Sequence, residues 1–237
     1  MIKAIFFDLD MTLIDFMGMK KIASNAAARA MVKAGLKMNA KEAQKELFDI
    51  YLRDIEGDYP ITNFLKKFNH YSDRILAAGI NAYHKAKYEH LKPYPKVIPT
   101  LKKLKKMNLK LGIVTDAPRL KAFTRLDEMK IADYFNVVVG LEDTGRRKPS
   151  KLPFKKALKL LRLRPNEVMH LGDYPEKDIL GAKRMGLISC FASYGYLGKG
   201  KTVWADYKIK KFEYVLELAK LLKKGKNNNK YKVISSK

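Results

Sequence analysis

The sequence predicts an α/β protein in which a doubly wound, Rossmann-like parallel sheet forms the core and a separate helical cap domain is attached. Short, nearly continuous apolar segments recur along the chain, and segments with helical spacing lie between them. Continuous apolar runs are typical of strands buried on both faces of a parallel sheet. Their alternation with helices is typical of doubly wound domains. One long interval, residues 14–95, contains only helical patterns and predicts the cap.

Five segments are predicted to be strands because each holds a short run of β-branched or aromatic residues. In chain order they are AIFFDLD, LKLGIVTDA, FNVVVGLED, VMHLGDY and LISCFASYG. The segments between them place apolar residues at intervals of three and four, which predicts helices. These helices are VIPTLKKLKKM, RLKAFTRLDEM, SKLPFKKALKLLRL and EKDILGAKRMG.

The interval after the first strand predicts four helices, since it is rich in alanine and its apolar residues follow helical spacing. The four segments are KIASNAAARAMVKAG, AKEAQKELFDIYLRDI, ITNFLKKFNHY and RILAAGINAYHKAKYEHL, with a turn at GDYP, residues 57–60. The predicted domains are therefore an α/β core at 1–13 and 96–225, a helical cap at 14–95, and a basic polar tail at 226–237.

Composition indicates a globular protein of one large domain or one domain with a smaller insert. The chain has 237 residues, of which 47% are hydrophobic, enough to fill a core. No apolar stretch approaches the roughly 20 residues of a membrane-spanning helix, and no signal peptide is visible. A single cysteine, Cys190, excludes an internal disulfide, and we predict a cytoplasmic protein with no membrane partner.

The net charge of +25 is unusual for a globular protein. Such a field attracts nucleic acid, acidic lipid surfaces or phosphorylated metabolites. Many of the lysines nevertheless lie opposite apolar residues at helical spacing, as around Leu101 and Leu104, which is typical of a solvated helix face. No nucleic-acid motif is present, and aromatic residues are not interleaved with the basic runs. Nucleic acid is therefore not the expected partner, although the charge permits it; the protein is expected to be a monomer or homodimer.

Side chains that could act in catalysis or bind a metal ion follow several of the predicted strands. The carboxyl ends of parallel strands meet at one edge of the sheet, where ligands bind. Clustered carboxylates raise one another's pKa, so a divalent cation and an ammonium group would offset their repulsion. The residues are Asp8 and Asp10 after the first strand, Thr115 and Asp116 after the second, Lys148 in the loop after the third, Asp173 after the fourth, and Asp178 in the next turn.

Four motifs, DLDMT, VTD, KP and GDYPEKD, occur in this order at or just after strand ends. Together they resemble the haloacid dehalogenase-like hydrolase superfamily, whose members are mostly phosphatases. The resemblance covers essentially the whole chain, and the helical insert is similar to the family's cap of the first type. It implies a Mg²⁺-dependent phosphomonoester hydrolase that acts on a small phosphorylated metabolite through an aspartyl-phosphate.

The resemblance also implies roles for the acidic residues. Asp8 would be the nucleophile, and Asp10 would be the general acid and then the general base. Mg²⁺ would be held by the Asp8 side chain, the Asp10 backbone carbonyl and Asp173, with Asp178 close by or acting through water. An oxygen-rich shell of this kind is what Mg²⁺ prefers.

The phosphate side of the expected site comprises Thr115, Asp116 and Lys148. Thr115 would donate a hydrogen bond to a phosphoryl oxygen, and Lys148 would balance charge between nucleophile and phosphate. The chain departs from the family at two positions. Asp116 stands where a neutral residue is usual, and its carboxylate would repel phosphate unless it is protonated or turned away. Met11 stands where many members have glycine.

Simpler structural interpretations of the same residues remain open from sequence. Asp8 and Asp10 could end a strand, Thr115 and Asp116 could cap the following helix, and Asp178 could cap ILGAKRM. Lys148 could be surface charge. The chain's four histidines show no metal-ligand spacing and are interpreted as structural, and Cys190 as a core thiol.

Other functions also fit parts of the pattern. A 2-haloacid dehalogenase shares the fold but needs no metal and lacks the second aspartate of the first motif, so Asp10 argues against it. A phosphonate hydrolase or a sugar-phosphate mutase would differ chiefly in the cap. A phospho-accepting signalling domain has a different motif order. A basic module that binds nucleic acid or another polyanion without catalysis is the non-enzymatic alternative.

Overall fold

The computed structural model describes residues 1–53, 57, 59–198, 200–201 and 203–225. Its internal contacts divide the chain into two compact units, one formed by Met1–Asp15 with the described residues from Pro93 onward and the other by Phe16–Lys92. The predicted basic tail, 226–237, lies outside the described residues, as does one residue of the predicted turn at 57–60. No helix in the described part of the chain is long and apolar enough to cross a bilayer.

The first unit contains a six-stranded sheet in which every pairing is parallel. The strand order is β3-β2-β1-β4-β5-β6, which is the order of a doubly wound nucleotide-binding fold. The predicted α/β class is therefore confirmed. The strands are β1 Ala4–Phe7, β2 Lys110–Val114, β3 Val137–Val139, β4 Val168–Gly172, β5 Ile188–Ala192 and β6 Tyr207–Ile209.

Strand β1 lies at the centre of the sheet, which explains its unbroken apolar sequence. Phe6 pairs with Gly112 of β2 on one side and with His170 of β4 on the other. All four residues of β1 are buried, so both faces of the strand are covered, and a polar residue would lose its hydration without gaining a partner. The central strand thereby carries its carboxyl end, and Asp8, to the middle of the sheet edge.

In the described residues of this unit, five α-helices accompany the sheet. They are α5 Val97–Lys106, α6 Arg119–Glu128, α7 Lys151–Leu161, α8 Leu180–Met185 and α9 Tyr214–Lys223, numbered after the four helices of the other unit. The predicted helix EKDILGAKRMG divides into a wide π-helical turn, Pro175–Ile179, and α8. The π turn widens the backbone where Asp178 folds back toward β4, and such turns often occur at functional sites.

Strand β6 and helix α9 of this unit were not predicted from the sequence. Strand β6 has only three residues, and its central Lys208 is exposed while its neighbours are buried. It alternates, as an edge strand does, and does not show the continuous apolar run of the inner strands. Helix α9 buries Val215, Leu218 and Leu222, an ordinary amphipathic face.

The described residues of the second unit form a bundle of four helices with its own apolar core. The helices are α1 Phe16–Lys33, α2 Ala40–Arg53, α3 Pro60–Lys67 and α4 Asp73–His90. Small residues allow α1 and α4 to approach closely: Ala23 and Ala27 are fully buried. A Cβ atom at Gly79 would lie 2.8 Å from Cγ of Met31. The alanine-rich sequence of α1 thus serves packing as well as helix formation.

Candidate active site

Three of the predicted residues lie at the carboxyl edge of the sheet, each directly after a strand. Asp8 follows β1, Thr115 follows β2 and Asp173 follows β4, and these are the three neighbouring central strands. All three side chains belong to buried residues. The topology therefore brings them together although more than 100 positions separate Asp8 from Thr115 along the sequence, as expected at a topological switch point.

Lys148 lies inside this group and is not a surface residue, because its side chain is only 2% exposed. Its Nζ lies 2.6 Å from Oδ1 of Asp8 and 2.6 Å from Oδ1 of Asp178. A third bond, of 3.1 Å, reaches the carbonyl oxygen of Val114. An ammonium group has three hydrogens to donate, so the three acceptors satisfy it fully.

The charges of this group shift one another's pKa. Burial alone would lower the pKa of Lys148, but Asp178 and Asp8 hold it above its ordinary value. Burial alone would likewise raise the pKa of Asp178, but Lys148 and His170 hold it well below its usual range. Lys148 and Asp178 therefore form a charged pair in the interior, stabilised by hydrogen bonds at both ends.

Three buried carboxylates form a cluster with the geometry of a cation site. Asp8, Asp173 and Asp178 each offer an oxygen, and these atoms lie within 4.8 Å of one another. Burial, partly offset by Lys148, raises the pKa of Asp8 to about 7. Burial and the charge of Asp8 raise the pKa of Asp173 to about 9. Ionisation of all three carboxylates beside one ammonium would leave excess negative charge, and hard oxygen donors fit a divalent cation that would neutralise it.

The loop of the first motif is held by the segment that follows β5. Met11 adopts a left-handed backbone conformation, with φ of 61°, in which glycine is the residue without strain. A Cβ atom at Gly195 would lie only 1.6 Å from the carbonyl oxygen of Met11, and the Tyr194 hydroxyl donates to the carbonyl of Thr12 at 2.7 Å. Thr12 in turn donates to Oδ1 of Asp173 at 3.1 Å.

Asp10 contacts a partner that was not predicted from the sequence. Its Oδ2 accepts a hydrogen bond from Nη1 of Arg125 at 2.6 Å. Arg125 comes from α6, where it is buried on the same face as Ala122 and Leu126. A charged residue on the apolar face of a helix requires a partner. A basic residue on the apolar face of α6 therefore indicates a buried carboxylate partner, although the sequence alone does not identify that partner.

Thr115 and Asp116 do not cap the following helix. The residue before α6 is Pro118, and the carboxylate of Glu142 accepts the first N–H of the helix, that of Arg119, at 2.8 Å. Oδ1 of Asp116 instead accepts the backbone N–H of Lys148 at 2.8 Å. Asp116 thus anchors the loop that carries the buried lysine. The Thr115 hydroxyl accepts the N–H of Ala117 at 3.2 Å, and a hydroxyl that accepts one bond can still donate another.

Asp178 lies within the π turn and does not cap α8, for which no side-chain cap occurs. Its Oδ2 accepts the Tyr174 N–H at 3.0 Å, and Nε2 of His170 lies 3.1 Å from its Oδ1. Burial lowers the pKa of His170, although Asp178 acts in the opposite direction. A Cβ atom at Gly172 would lie 2.3 Å from Cγ of Asp178, so the glycine of the fourth motif makes room for this carboxylate. His170 was interpreted from sequence as structural only.

Comparison with known proteins identifies the family of the chain. The family model for haloacid dehalogenase-like hydrolases matches residues 5–192. A glyceraldehyde 3-phosphate phosphatase from Methanocaldococcus jannaschii is 35% identical over 228 residues, covering 94% of this chain and 100% of that protein. A phosphoglycolate phosphatase from Neisseria meningitidis is 28% identical over 200 residues, covering 82% of each.

The fold is also shared with a solved structure. The crystal structure of a HAD phosphatase from Thermococcus onnurineus superposes with a TM-score of 0.68 at 24% identity, covering 92% of this chain and 98% of that one. Relatives named as phosphatases confirm the predicted enzyme class. With a family model that spans most of the chain, the resemblance drawn from the four motifs is confirmed as well: the protein belongs to the haloacid dehalogenase-like hydrolases.

Proposed function

We propose that this phosphatase hydrolyses the phosphomonoester of a two- or three-carbon metabolite, with Asp8 as nucleophile and Mg²⁺ as cofactor. The observation that carries the proposal is the buried group in which Lys148 joins Asp8 to Asp178 beside Asp173. The substrate class follows from the relatives, which are named for glyceraldehyde 3-phosphate and phosphoglycolate.

The carboxylates of Asp8, Asp173 and Asp178 would hold Mg²⁺, together with the backbone carbonyl of Asp10. When bound, the cation neutralises charge that develops on the phosphoryl oxygens. The fit rests on the all-oxygen donor set and on the raised pKa of Asp173, because a cation among these carboxylates would favour their ionised forms. Thr12 supports this role because its hydroxyl fixes one oxygen of Asp173.

Asp8 would act as the nucleophile because its carboxylate is buried and oriented. Lys148 holds Oδ1 at 2.6 Å, which fixes the plane of the carboxylate and favours its ionised form. Attack on phosphorus forms an Asp8–phosphorus bond and breaks the bond to the substrate alkoxide, which takes a proton from Asp10. Water then attacks the phosphorus of the aspartyl-phosphate and gives a proton to Asp10. The bond between the Asp8 oxygen and phosphorus breaks, so that phosphate is released and the Asp8 carboxylate is regenerated.

The experiment that tests this function measures phosphate release from glyceraldehyde 3-phosphate, phosphoglycolate and p-nitrophenyl phosphate, with Mg²⁺ and with chelator. We expect turnover with Mg²⁺ and at least about a 100-fold loss with chelator, since the cation supplies much of the charge stabilisation. Turnover that survives the chelator would contradict the metal. If the enzyme hydrolyses p-nitrophenyl phosphate but neither glyceraldehyde 3-phosphate nor phosphoglycolate, the proposed substrate class is contradicted.

Arg125 is expected to set the position from which Asp10 protonates the leaving group. In Arg125→Met, kcat/KM for an alkyl phosphate should fall at least about 10-fold, whereas kcat/KM for p-nitrophenyl phosphate should change less than about threefold. The nitrophenolate leaves without needing a proton, and kcat/KM covers only the steps up to the aspartyl-phosphate. Initial rates over a range of substrate concentrations give both values.

The control for Arg125→Met is Arg119→Met. Arg119 also belongs to α6, but its side chain is 51% exposed and pairs with Asp143. This variant should leave kcat/KM unchanged for both substrates. Equal losses on the alkyl and aryl phosphates in Arg125→Met would indicate that the arginine only supports the fold.

A further inference from the structure

We propose that His170 is a positioning residue for the metal-binding carboxylates and acts through Asp178. The inference rests on the metal site of the proposed function and deepens it, because it adds a residue that neither the motifs nor the catalytic roles include. Its basis is the placement of the imidazole directly behind a carboxylate that already holds the buried lysine.

The imidazole is held on a rigid element. His170 lies in the middle of β4, paired with Phe6 of β1 on one side and with Ser189 of β5 on the other. His170 is fully buried, and its ring packs edge to face against the Phe154 ring at a centroid distance of 4.9 Å. A side chain packed in this way on a central strand defines one position for its nitrogen atoms.

The hydrogen bond to Asp178 defines which nitrogen carries the hydrogen. Nε2 lies 3.1 Å from Oδ1 of Asp178, and a carboxylate in an ion pair with Lys148 can only accept there. Nε2 is therefore the donor. Oδ1 receives both His170 and Lys148, and Oδ2 receives the Tyr174 N–H at 3.0 Å. The carboxylate plane is consequently fixed by three donors that come from three different segments.

Packing alone does not explain a histidine at this position. Nδ1 of His170 is buried and has no hydrogen-bond partner among the residues that the structure describes. Leaving a buried polar atom unpaired costs stability, and leucine would fill a similar volume without that cost. The rest of β4 is apolar apart from the terminal glycine. Among the described residues, the one hydrogen bond of the ring's polar atoms is that to Asp178, which is why we assign His170 to the carboxylate.

Removal of the hydrogen-bond donor should therefore weaken Mg²⁺ binding while the protein remains folded. In His170→Leu, we expect the dissociation constant for Mg²⁺, measured by titration calorimetry, to rise about 10- to 100-fold, the usual effect of losing a partner that orients a metal ligand. In His170→Gln, whose amide nitrogen reaches a similar distance, the constant should return to within about threefold of the wild type. Circular dichroism checks that each variant is folded.

Phe154→Leu is the matched control, since it removes the ring contact with His170 but keeps the hydrogen bond. It should lower the unfolding temperature through lost core packing and leave the dissociation constant for Mg²⁺ unchanged. If Phe154→Leu weakens Mg²⁺ binding as much as His170→Leu does, the role of His170 is packing and the inference fails. Should His170→Leu not fold, His170→Asn replaces it, because its amide is one bond too short to reach Asp178.

The outcomes separate this inference from the function on which it rests. Wild-type protein that binds Mg²⁺, together with His170→Leu that binds it equally well, would overturn the inference and leave the proposed function intact. Wild-type protein that shows no Mg²⁺ binding by calorimetry, and turnover insensitive to chelator, would overturn both. Weakened binding in His170→Leu that His170→Gln restores would establish the inference.

Discussion

Asp8→Asn is expected to lower kcat for phosphate release by at least about 1,000-fold, because an amide cannot replace the carboxylate as nucleophile. The substitution keeps the size of the side chain, and Lys148 keeps its bonds to Asp178 and Val114. Phosphate release from p-nitrophenyl phosphate with saturating Mg²⁺ gives the value. The residual rate then measures what binding and charge stabilisation achieve without the covalent step.

The same variant should not unfold more easily than the wild type when chelator is present. The folded protein raises the pKa of Asp8 from 3.8 to about 7, so it binds a proton at Asp8 more tightly than the unfolded chain does. The free energy of unfolding therefore falls as pH rises from about 4 to about 7. Asp8→Asn lacks this loss, and thermal unfolding at pH 8 in chelator should occur at an equal or higher temperature than in the wild type.

Asp116→Asn provides the matched control for Asp8→Asn. It removes a carboxylate that follows the neighbouring strand, but its amide oxygen can still accept the N–H of Lys148. We expect kcat to stay within about threefold of the wild type, because Asp116 takes no part in bond making. Removal of its charge only lessens the repulsion of phosphate. Turnover that persists in Asp8→Asn would contradict the assignment of the nucleophile, and an equal loss in Asp116→Asn would show that the loss of activity does not single out Asp8.

The inner part of this molecule could be predicted from sequence because its physical constraints are local. β1 is buried on both faces, so its sequence is continuously apolar, and the first polar residues after it mark the edge of the sheet. The same logic located Asp173 after β4 and Thr115 after β2. Parallel topology then required these residues to meet, whatever their separation along the chain.

The partners of those residues could not be predicted because they depend on distant parts of the chain. Arg125 and Asp10 are 115 positions apart, and nothing local in either segment identifies the other. His170 reads as one more residue of a buried strand until the π turn brings Asp178 back against it. The sequence shows which residue types a site could use. Which carboxylate pairs with which basic side chain is decided by tertiary packing.

Lys148→Met is expected to lower the free energy of unfolding in chelator by about 3–5 kcal/mol, the usual cost of leaving a buried carboxylate without its partner. Methionine matches the length of lysine but supplies no charge, so Asp8 and Asp178 lose the ammonium that they share. Chemical denaturation in chelator measures the loss. Phosphate release should fall at least about 100-fold, since the charge between nucleophile and phosphate is gone.

Three comparisons distinguish lost charge balance from a general defect in packing. Lys177→Met removes a lysine that is 42% exposed and lies 3.6 Å from Asp116, and it should change the unfolding free energy by less than about 0.5 kcal/mol. Asp178→Asn added to Lys148→Met should recover part of the lost stability, because it removes one of the carboxylates left unpaired. Mg²⁺ should also stabilise Lys148→Met more than it stabilises the wild type, since a cation in the carboxylate cluster supplies the missing positive charge. If the single variant is as stable as the wild type in chelator, the buried ion pair is not what offsets the clustered carboxylates, and the assignment of Lys148 to that role is wrong.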